Sequence, residues 1–214
     1  ADVLRYMAGW ATKIVGRTMA FASPSGNQVK GQTRREPVGV IAGIIPWNVP
    51  FMMAIWKVAP ALAAGCTVVL KPAEDTSLTA LFLGGLVLEA GFPPGVVNIV
   101  TGTGQEVGQP LIEHPLVSKV FFTGSTITGI AVGRAAASHT KQVSLELGGK
   151  SPTIIFADAD LEAAAAGAAE SIFLNSGQIC VAGSRLYVQK SAYDDVVNRV
   201  ASIASKHVVG CSLD

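Results

Sequence analysis

Cys180 stands in Asn175-Ser176-Gly177-Gln178-Ile179-Cys180-Val181-Ala182-Gly183, a polar, glycine-flanked stretch that follows a long helical pattern. Reactive thiols occupy partly exposed polar surroundings, whereas structural cysteines lie inert among apolar neighbours. Cys66, beside Thr67-Val68-Val69-Leu70, fits the inert pattern, and Cys211 lies near a terminus. Cys180 therefore reads as a presented nucleophile, although no nearby histidine supplies a base, which argues against a Cys-His dyad of the protease type. A carboxylate, Glu146, lies in Leu145-Glu146-Leu147-Gly148-Gly149-Lys150, at a junction between two domains. Asn48, in Ile45-Pro46-Trp47-Asn48-Val49-Pro50, is held between two prolines. Its amide is either a brace for that loop or a preorganised hydrogen-bond donor.

Three further loops could meet a nucleotide. Lys71-Pro72-Ala73-Glu74 puts a cation and a carboxylate at a strand end, where dinucleotide folds read a ribose, and a plain surface ion pair would have the same residues. Gly102-Thr103-Gly104-Gln105-Glu106-Val107-Gly108 spaces as G-x-G-x-x-x-G, but Thr103 capping a helix needs the same residues. Phe122-Thr123-Gly124-Ser125-Thr126-Ile127-Thr128-Gly129 also follows an apolar strand and opens a helix, whose free N–H groups suit a pyrophosphate. The second of these two glycine loops is the better phosphate candidate, because Glu106 would place a negative charge beside phosphates in the first.

The elements that must position these loops alternate in type. Apolar runs predict strands over 38–45, 66–71, 96–100, 118–122 and 141–147, with helices over 51–64, 77–90, 105–113 and 125–137 between them. Strands so uniformly apolar, joined by helical crossovers, imply a doubly wound α/β domain on a parallel sheet. After Gly148-Gly149 the pattern predicts a strand over 153–156, a helix capped by Asp160, a strand over 186–189 and a helix from Ser191. The expected division is a dinucleotide-binding domain over 1–147, lacking its N-terminal part, and the incomplete beginning of a second α/β domain over 148–214. At the N-terminal end, residues 4–21 show helical spacing closed by Ser23-Pro24-Ser25-Gly26-Asn27.

Composition narrows the function classes. Half of the 214 residues are hydrophobic and 14% are charged, so the chain is globular and not disordered. Sixteen Lys and Arg against fifteen Asp and Glu leave +1, with no basic tract to follow a phosphate backbone, so nucleic acid is not an expected partner. The three cysteines are scattered and no pair of the three histidines has metal-ligand spacing, which points to a reduced, metal-free, cytoplasmic protein without a secretory signal. Residues 37–70 hold one charge, Lys57, and are long enough to cross a bilayer, but four prolines and three glycines break them into short pieces. No membrane association is expected.

Taken together and in order, Pro46-Trp47-Asn48, Lys71-Pro72-Ala73-Glu74, Phe122-Thr123-Gly124-Ser125-Thr126, Glu146-Leu147-Gly148-Gly149-Lys150 and Gly177-Gln178-Ile179-Cys180 resemble the aldehyde dehydrogenase superfamily over essentially the whole chain. The resemblance implies a Rossmann-like NAD-binding domain followed by a catalytic domain. It implies Cys180 as nucleophile, Glu146 as general base, and Asn48 with the Cys180 backbone N–H as the oxyanion hole. Ile45, Pro46, Trp47, Lys71, Glu74, Gly104, Gln105, Gly124, Ser125, Gly129 and Leu147 would line the cofactor site. Glu74 would accept from a ribose 2′-hydroxyl and repel a 2′-phosphate, which favours NAD over NADP. Ile179 and Val181 flank the nucleophile and Val49 follows Asn48 where many relatives have an aromatic residue. An entrance shaped by Met53, Trp56, Leu174, Ile179 and Val181 would be apolar and suit a hydrophobic or aromatic aldehyde.

Family members are longer at both ends, and the part beyond this sequence would carry another cofactor-binding glutamate, the rest of the catalytic domain and an oligomerisation strand. At full length a homo-oligomer, dimer or tetramer, is expected. Two other functions share these residues: a nucleotide-binding or structural relative without turnover, and a CoA-acylating aldehyde dehydrogenase. Glu146, suited to activating water, argues against the latter.

Overall fold

The computed structural model describes residues 2–211. The chain forms two compact units, Ala1–Glu146 and Leu147–Asp214.

The first unit opens with helix α1 (Asp2–Ala8), followed by strands β1 (Arg17–Ala22) and β2 (Gln28–Thr33). These pair as an antiparallel hairpin from Arg17 against Thr33 to Ala22 against Gln28. The helical spacing read over 4–21 thus ends at Ala8, and its second half is a strand. Two glycines explain the break. Gly9 weakens a helix at that point, and a Cβ on Gly16 would collide with the Thr33 carbonyl, so the chain can enter the hairpin there only as glycine. The Ser23–Asn27 segment closes the hairpin and not a helix, with Ser23 N–H donating to the Asn27 carbonyl at 2.8 Å and Gly26 at φ +82°.

The rest of the unit is a five-stranded sheet in the order β5-β4-β3-β6-β7. Its strands are β3 (Val40–Ile44), β4 (Thr67–Lys71), β5 (Val97–Ile99), β6 (Val117–Gly124) and β7 (Gln142–Leu147). β3 pairs parallel with β4 and β6, and β4 pairs parallel with β5. The crossovers are α2 (Pro50–Ala63), α3 (Leu78–Glu89), α4 (Gln109–Glu113) and α5 (Thr126–Ser138). Pro50 opens α2 where a missing N–H is harmless, and glycines at positive φ, Gly65 and Gly91, follow α2 and α3. Residues 37–70 therefore become β3, α2 and nearly all of β4. Among the described residues no helix is long and apolar enough to cross a membrane.

Ile41 and Ile45, Met53, Val58, Val68 and Leu70, and Ala80, Leu83 and Val87 pack into one core that fastens α2 and α3 to β3 and β4. The order places β3 at the centre: the chain moves outward through β4 and β5, then returns to lay β6 on the other side of β3. With right-handed crossovers this reversal makes the doubly wound form, and the crevice between the ends of β3 and β6 is its switch point.

In the second unit β8 (Pro152–Ile155) pairs parallel with β9 (Arg185–Val188), crossed by α6 (Leu161–Phe173) and followed by α7 (Tyr193–Ala204). Asp160 caps α6, its carboxylate accepting from the Glu162 and Ala163 N–H groups at 3.1 Å each. Ile155, Ala168, Ala192 and Val196 form the core here.

Leu70 is fully buried in the centre of the larger core. Leu70→Ala should lower unfolding stability by about 3 kcal/mol through lost transfer free energy and an unfilled cavity, read as a reduced urea midpoint with the slope unchanged.

Candidate functional site

Parallel register aligns the ends of four strands. Ile44 lies opposite Lys71 on one side and Phe122 on the other, and Leu70 lies opposite Ile99. The loops that carry the candidate nucleotide-binding residues therefore leave the sheet from one edge. Ile45 N–H donates to the Lys71 carbonyl at 3.1 Å, extending the pairing one residue beyond β3 before Pro46 stops it. Ile45 is buried, Pro46 and Asn48 are half-buried, and Trp47 is exposed.

After β4, Lys71 is not a surface cation. Its side chain is 4% exposed, and its ammonium donates to the Pro72 carbonyl at 3.0 Å and to Glu74 at 3.1 Å, while Glu74 is 47% exposed. Hydrogen bonding to its own backbone N–H, joined by the Lys71 ammonium and the Gly104 N–H, holds the Glu74 carboxyl below its ordinary range despite some desolvation. Lys71, Glu74 and Gly104, three separate sequence candidates, thus meet at one point. The result is an ionised carboxylate, fixed from behind and open in front, whose oxygens can accept from a vicinal diol.

The G-x-G-x-x-x-G stretch has the capping geometry. Thr103 accepts from the Glu106 N–H at 3.1 Å and donates to the Glu106 carboxylate at 2.9 Å, at the start of a wide helical turn over Gly104–Gly108. A Cβ at Gly104 would touch nothing, so this backbone faces open space, while Gly108 is buried with the Lys71 Cδ beside it. Gln105 is exposed on the same turn. After β6, Ser125 caps α5 by accepting from the Thr128 N–H at 3.2 Å. Thr126 and Ile127 stand in the first turn, where no helical carbonyl reaches their N–H groups. Gly124 is required by close packing, since a Cβ there would overlap the Phe122 ring, and Gly129 is buried one turn into α5. Glu146 is exposed near the end of β7, and half-buried Leu147 closes that strand.

In the second unit Cys180 is exposed, whereas Cys66 is buried. Three successive residues ahead of it, Asn175, Ser176 and Gly177, have φ of 52°, 57° and 73°. Left-handed backbone strains residues other than glycine by about 1–2 kcal/mol, and asparagine tolerates it better than serine. The stretch then turns at Ile179–Ala182, with Ala182 N–H donating to the Ile179 carbonyl at 3.1 Å, and is tied back to α6 by Gly183 N–H donating to the Ser171 carbonyl and hydroxyl, each at 3.1 Å. A Cβ at Gly183 would overlap the Ser171 and Thr153 hydroxyls, so only glycine lets the loop dock. Of the expected entrance residues in this unit, Leu174 and Val181 are exposed and Ile179 is half-buried. In the first unit Met53 faces the core, while Trp56 is exposed and walls an open apolar cavity of about 640 Å³ with Val3, Tyr6, Met7, Pro60 and Phe121.

The profile of the aldehyde dehydrogenase family matches residues 1–214. The chain belongs to that family. It is 56% identical over 216 residues to a phenylacetaldehyde dehydrogenase of Pseudomonas fluorescens, an alignment covering 100% of this chain and 43% of that protein. An aldehyde dehydrogenase of Bacillus cereus solved as an NAD+ complex superposes with a TM-score of 0.93 at 49% identity, covering 98% of this chain and 42% of that one. An NADP-dependent enzyme of E. coli superposes with a TM-score of 0.95 at 44% identity, covering 99% and 44%. This aldehyde dehydrogenase chain thus spans less than half the length of the relatives it matches.

Sequence reasoning passed over one residue. Lys57 of α2 is 1% exposed, donates to the Thr123 hydroxyl at 2.7 Å and lies 3.8 Å from the centroid of the Phe121 ring. Burial lowers its pKa from 10.5 to about 8, with the Glu146 carboxylate pulling the other way. Its signal in the sequence was that it is the single charge within residues 37–70. Below about pH 8 the folded chain holds this ammonium charged at a desolvation cost. From about 8 to 10.5 the folded chain has released a proton that the unfolded chain keeps, so stability rises with pH by about 3 kcal/mol in total. In Lys57→Met that portion of the rise should vanish when urea midpoints are compared between pH 7.5 and 10.5, and an unchanged pH profile would show that Lys57 is not desolvated.

Proposed function

We propose that this chain carries the nucleotide-binding and nucleophile-bearing portion of an NAD-dependent aldehyde dehydrogenase that oxidises a hydrophobic, aromatic aldehyde to its carboxylate. The observation that carries the reading is the presentation of Cys180: an exposed thiol on a loop held in left-handed backbone and anchored through Gly183 to α6.

In this mechanism the Cys180 thiolate adds to the aldehyde carbon, forming a carbon–sulfur bond and placing the carbonyl electron pair on oxygen. The Asn48 amide and the Cys180 backbone N–H stabilise that oxyanion, and comparable donors are worth about 3 kcal/mol each. NAD, when bound, supplies the hydride acceptor. Loss of hydride leaves an acyl thioester on Cys180. Glu146 takes a proton from water, the resulting hydroxide attacks the acyl carbon, and the carboxylic acid formed departs as the thiolate is restored, then ionises to the carboxylate by giving its proton to solvent. With no histidine nearby in the sequence, Cys180 would depend for activation on Asn48, its local electrostatics or Glu146.

The fit of the cofactor rests on the chain's own groups. Glu74, fixed by Lys71 and the Gly104 N–H, would accept from both ribose hydroxyls of the adenosine half. Ile45, Pro46 and Trp47, with Gly124, Ser125 and Gly129 across the β3–β6 crevice, would border the diphosphate and what lies beyond it, and Gln105 and Leu147 complete the set. An aromatic substrate is supported by the apolar Leu174, Ile179 and Val181 in the segment of the nucleophile and by the relative named for phenylacetaldehyde.

NADH formation from aliphatic and aromatic aldehydes, followed at 340 nm, tests the reaction. The full chain should turn over the aromatic set faster, and Cys180→Ser should abolish the signal; NADH formation that survives in Cys180→Ser would overturn the assignment of the nucleophile. Glu74→Gln should reduce discrimination against NADP by about tenfold, judged by the ratio of kcat/KM for the two cofactors, and an unchanged ratio would remove Glu74 from the ribose site.

A further inference from the structure

α4 has five residues, Gln109–Glu113, too few to hold a helix by its own hydrogen bonds. It is the direct continuation of the turn Gly104–Gly108, and its position determines where that turn stands. At its front the segment is fixed by the Gly104 N–H on the Glu74 carboxylate and by Gly108 against Lys71. At its back Ile112 is buried, and one side chain from a distant part of the sequence adds a polar tie. The Lys141 ammonium donates to the Ile112 carbonyl at 2.6 Å and to the His114 carbonyl at 2.6 Å, across 29 and 27 residues. Both carbonyls lie at the C-terminal end of α4, where orphan acceptors and the negative end of the helix dipole favour a cation. The Glu113 carboxylate adds to the field around the ammonium, while partial burial opposes its charge.

Lys141 immediately precedes β7, the strand that carries Glu146. One residue therefore ties the far end of the Gly104 segment to the edge strand of the sheet. We propose that Lys141 is a positioning residue for the adenosine half of the cofactor: by pinning the end of α4 it keeps the Gly104 turn against Glu74 and Lys71, and so sets how tightly the adenosine ribose is held. The inference rests on the reading of Lys71, Glu74, Gly104 and Gln105 as the ribose end of an NAD site. Without the ammonium, the Ile112 carbonyl loses its partner and the His114 carbonyl keeps the Val117 N–H alone, so the end of α4 is held by the packing of buried Ile112 and by that turn, and Gly104 shifts relative to the carboxylate it orients.

The test is binding of NADH, by its fluorescence, and of AMP, by competition, to the full chain and to Lys141→Met and Lys141→Arg. Lys141→Met should weaken both ligands by the same factor of about tenfold, the size expected when a binding group is displaced by a fraction of an ångström. Lys141→Arg, whose guanidinium can reach both carbonyls, should restore most of the loss. If Lys141→Met does not fold, Lys141→Gln carries the same comparison, because it keeps one donor. Val58→Ala, a core change remote from the ligand groups, serves as the stability control. Unaltered affinity in the folded Lys141 variant, or an equal loss of AMP affinity in Val58→Ala at equal destabilisation, would overturn the proposal. A wild-type chain that binds neither NADH nor AMP would sink the cofactor reading, and this inference with it.

Discussion

Register between parallel strands is the constraint on which the larger unit depends. Once Ile44 is placed opposite both Lys71 and Phe122, the chain leaves the sheet at the same edge three times, from β3 and β4 at one level and from β6 two residues further on, and each departure delivers polar groups there. A slip of one residue would invert every side chain on the strand and turn the buried faces of Val68 and Leu70 outward. The core that prevents the slip also sets the loops: Ile41, Ile45, Val68 and Leu70 are packed by α2 and α3, so apolar burial far from any ligand determines where Asn48 and Glu74 stand. In this arrangement specificity at the edge is a by-product of packing in the middle.

Electrostatics repeats the same economy of position. Both lysines that matter to the sheet edge are buried, and each has an oxygen partner within 3.1 Å. Lys71 is satisfied by a carbonyl and a carboxylate. Lys57 meets a hydroxyl and an aromatic face, and burial lowers its pKa to about 8 against the pull of the Glu146 carboxylate.

Much of this could be read from the residue order. Uniformly apolar runs separated by helical spacing announce a covered parallel sheet, and Asp160 announces the start of α6, because these signals act within a few residues. The family resemblance likewise came from short segments read in sequence. What escaped depends on partners far apart. The hairpin of β1 and β2 was hidden because its first strand shares its apolar positions with a helical pattern, and only the Gly16–Thr33 approach decides between them. Lys57 was visible as a lone charge, but its partner Thr123 lies 66 residues away. The carbonyls held by Lys141 are as remote, and backbone oxygens leave no trace in a sequence at all. At Asn175 and Ser176 no glycine warns of left-handed backbone; only Gly177 does.

That pair of left-handed residues has a consequence for the history and engineering of the chain. Serine at 176 is a locally poor choice, and a variant library screened for heat resistance alone would enrich glycine there, because glycine relieves the strain without losing a core contact. Serine at this position is thus the kind of residue that thermal screening discards. Room for stabilising change should be greatest at the few residues ahead of Cys180 and least at buried sheet positions such as Val68 and Leu70, where packing alone judges a substitution.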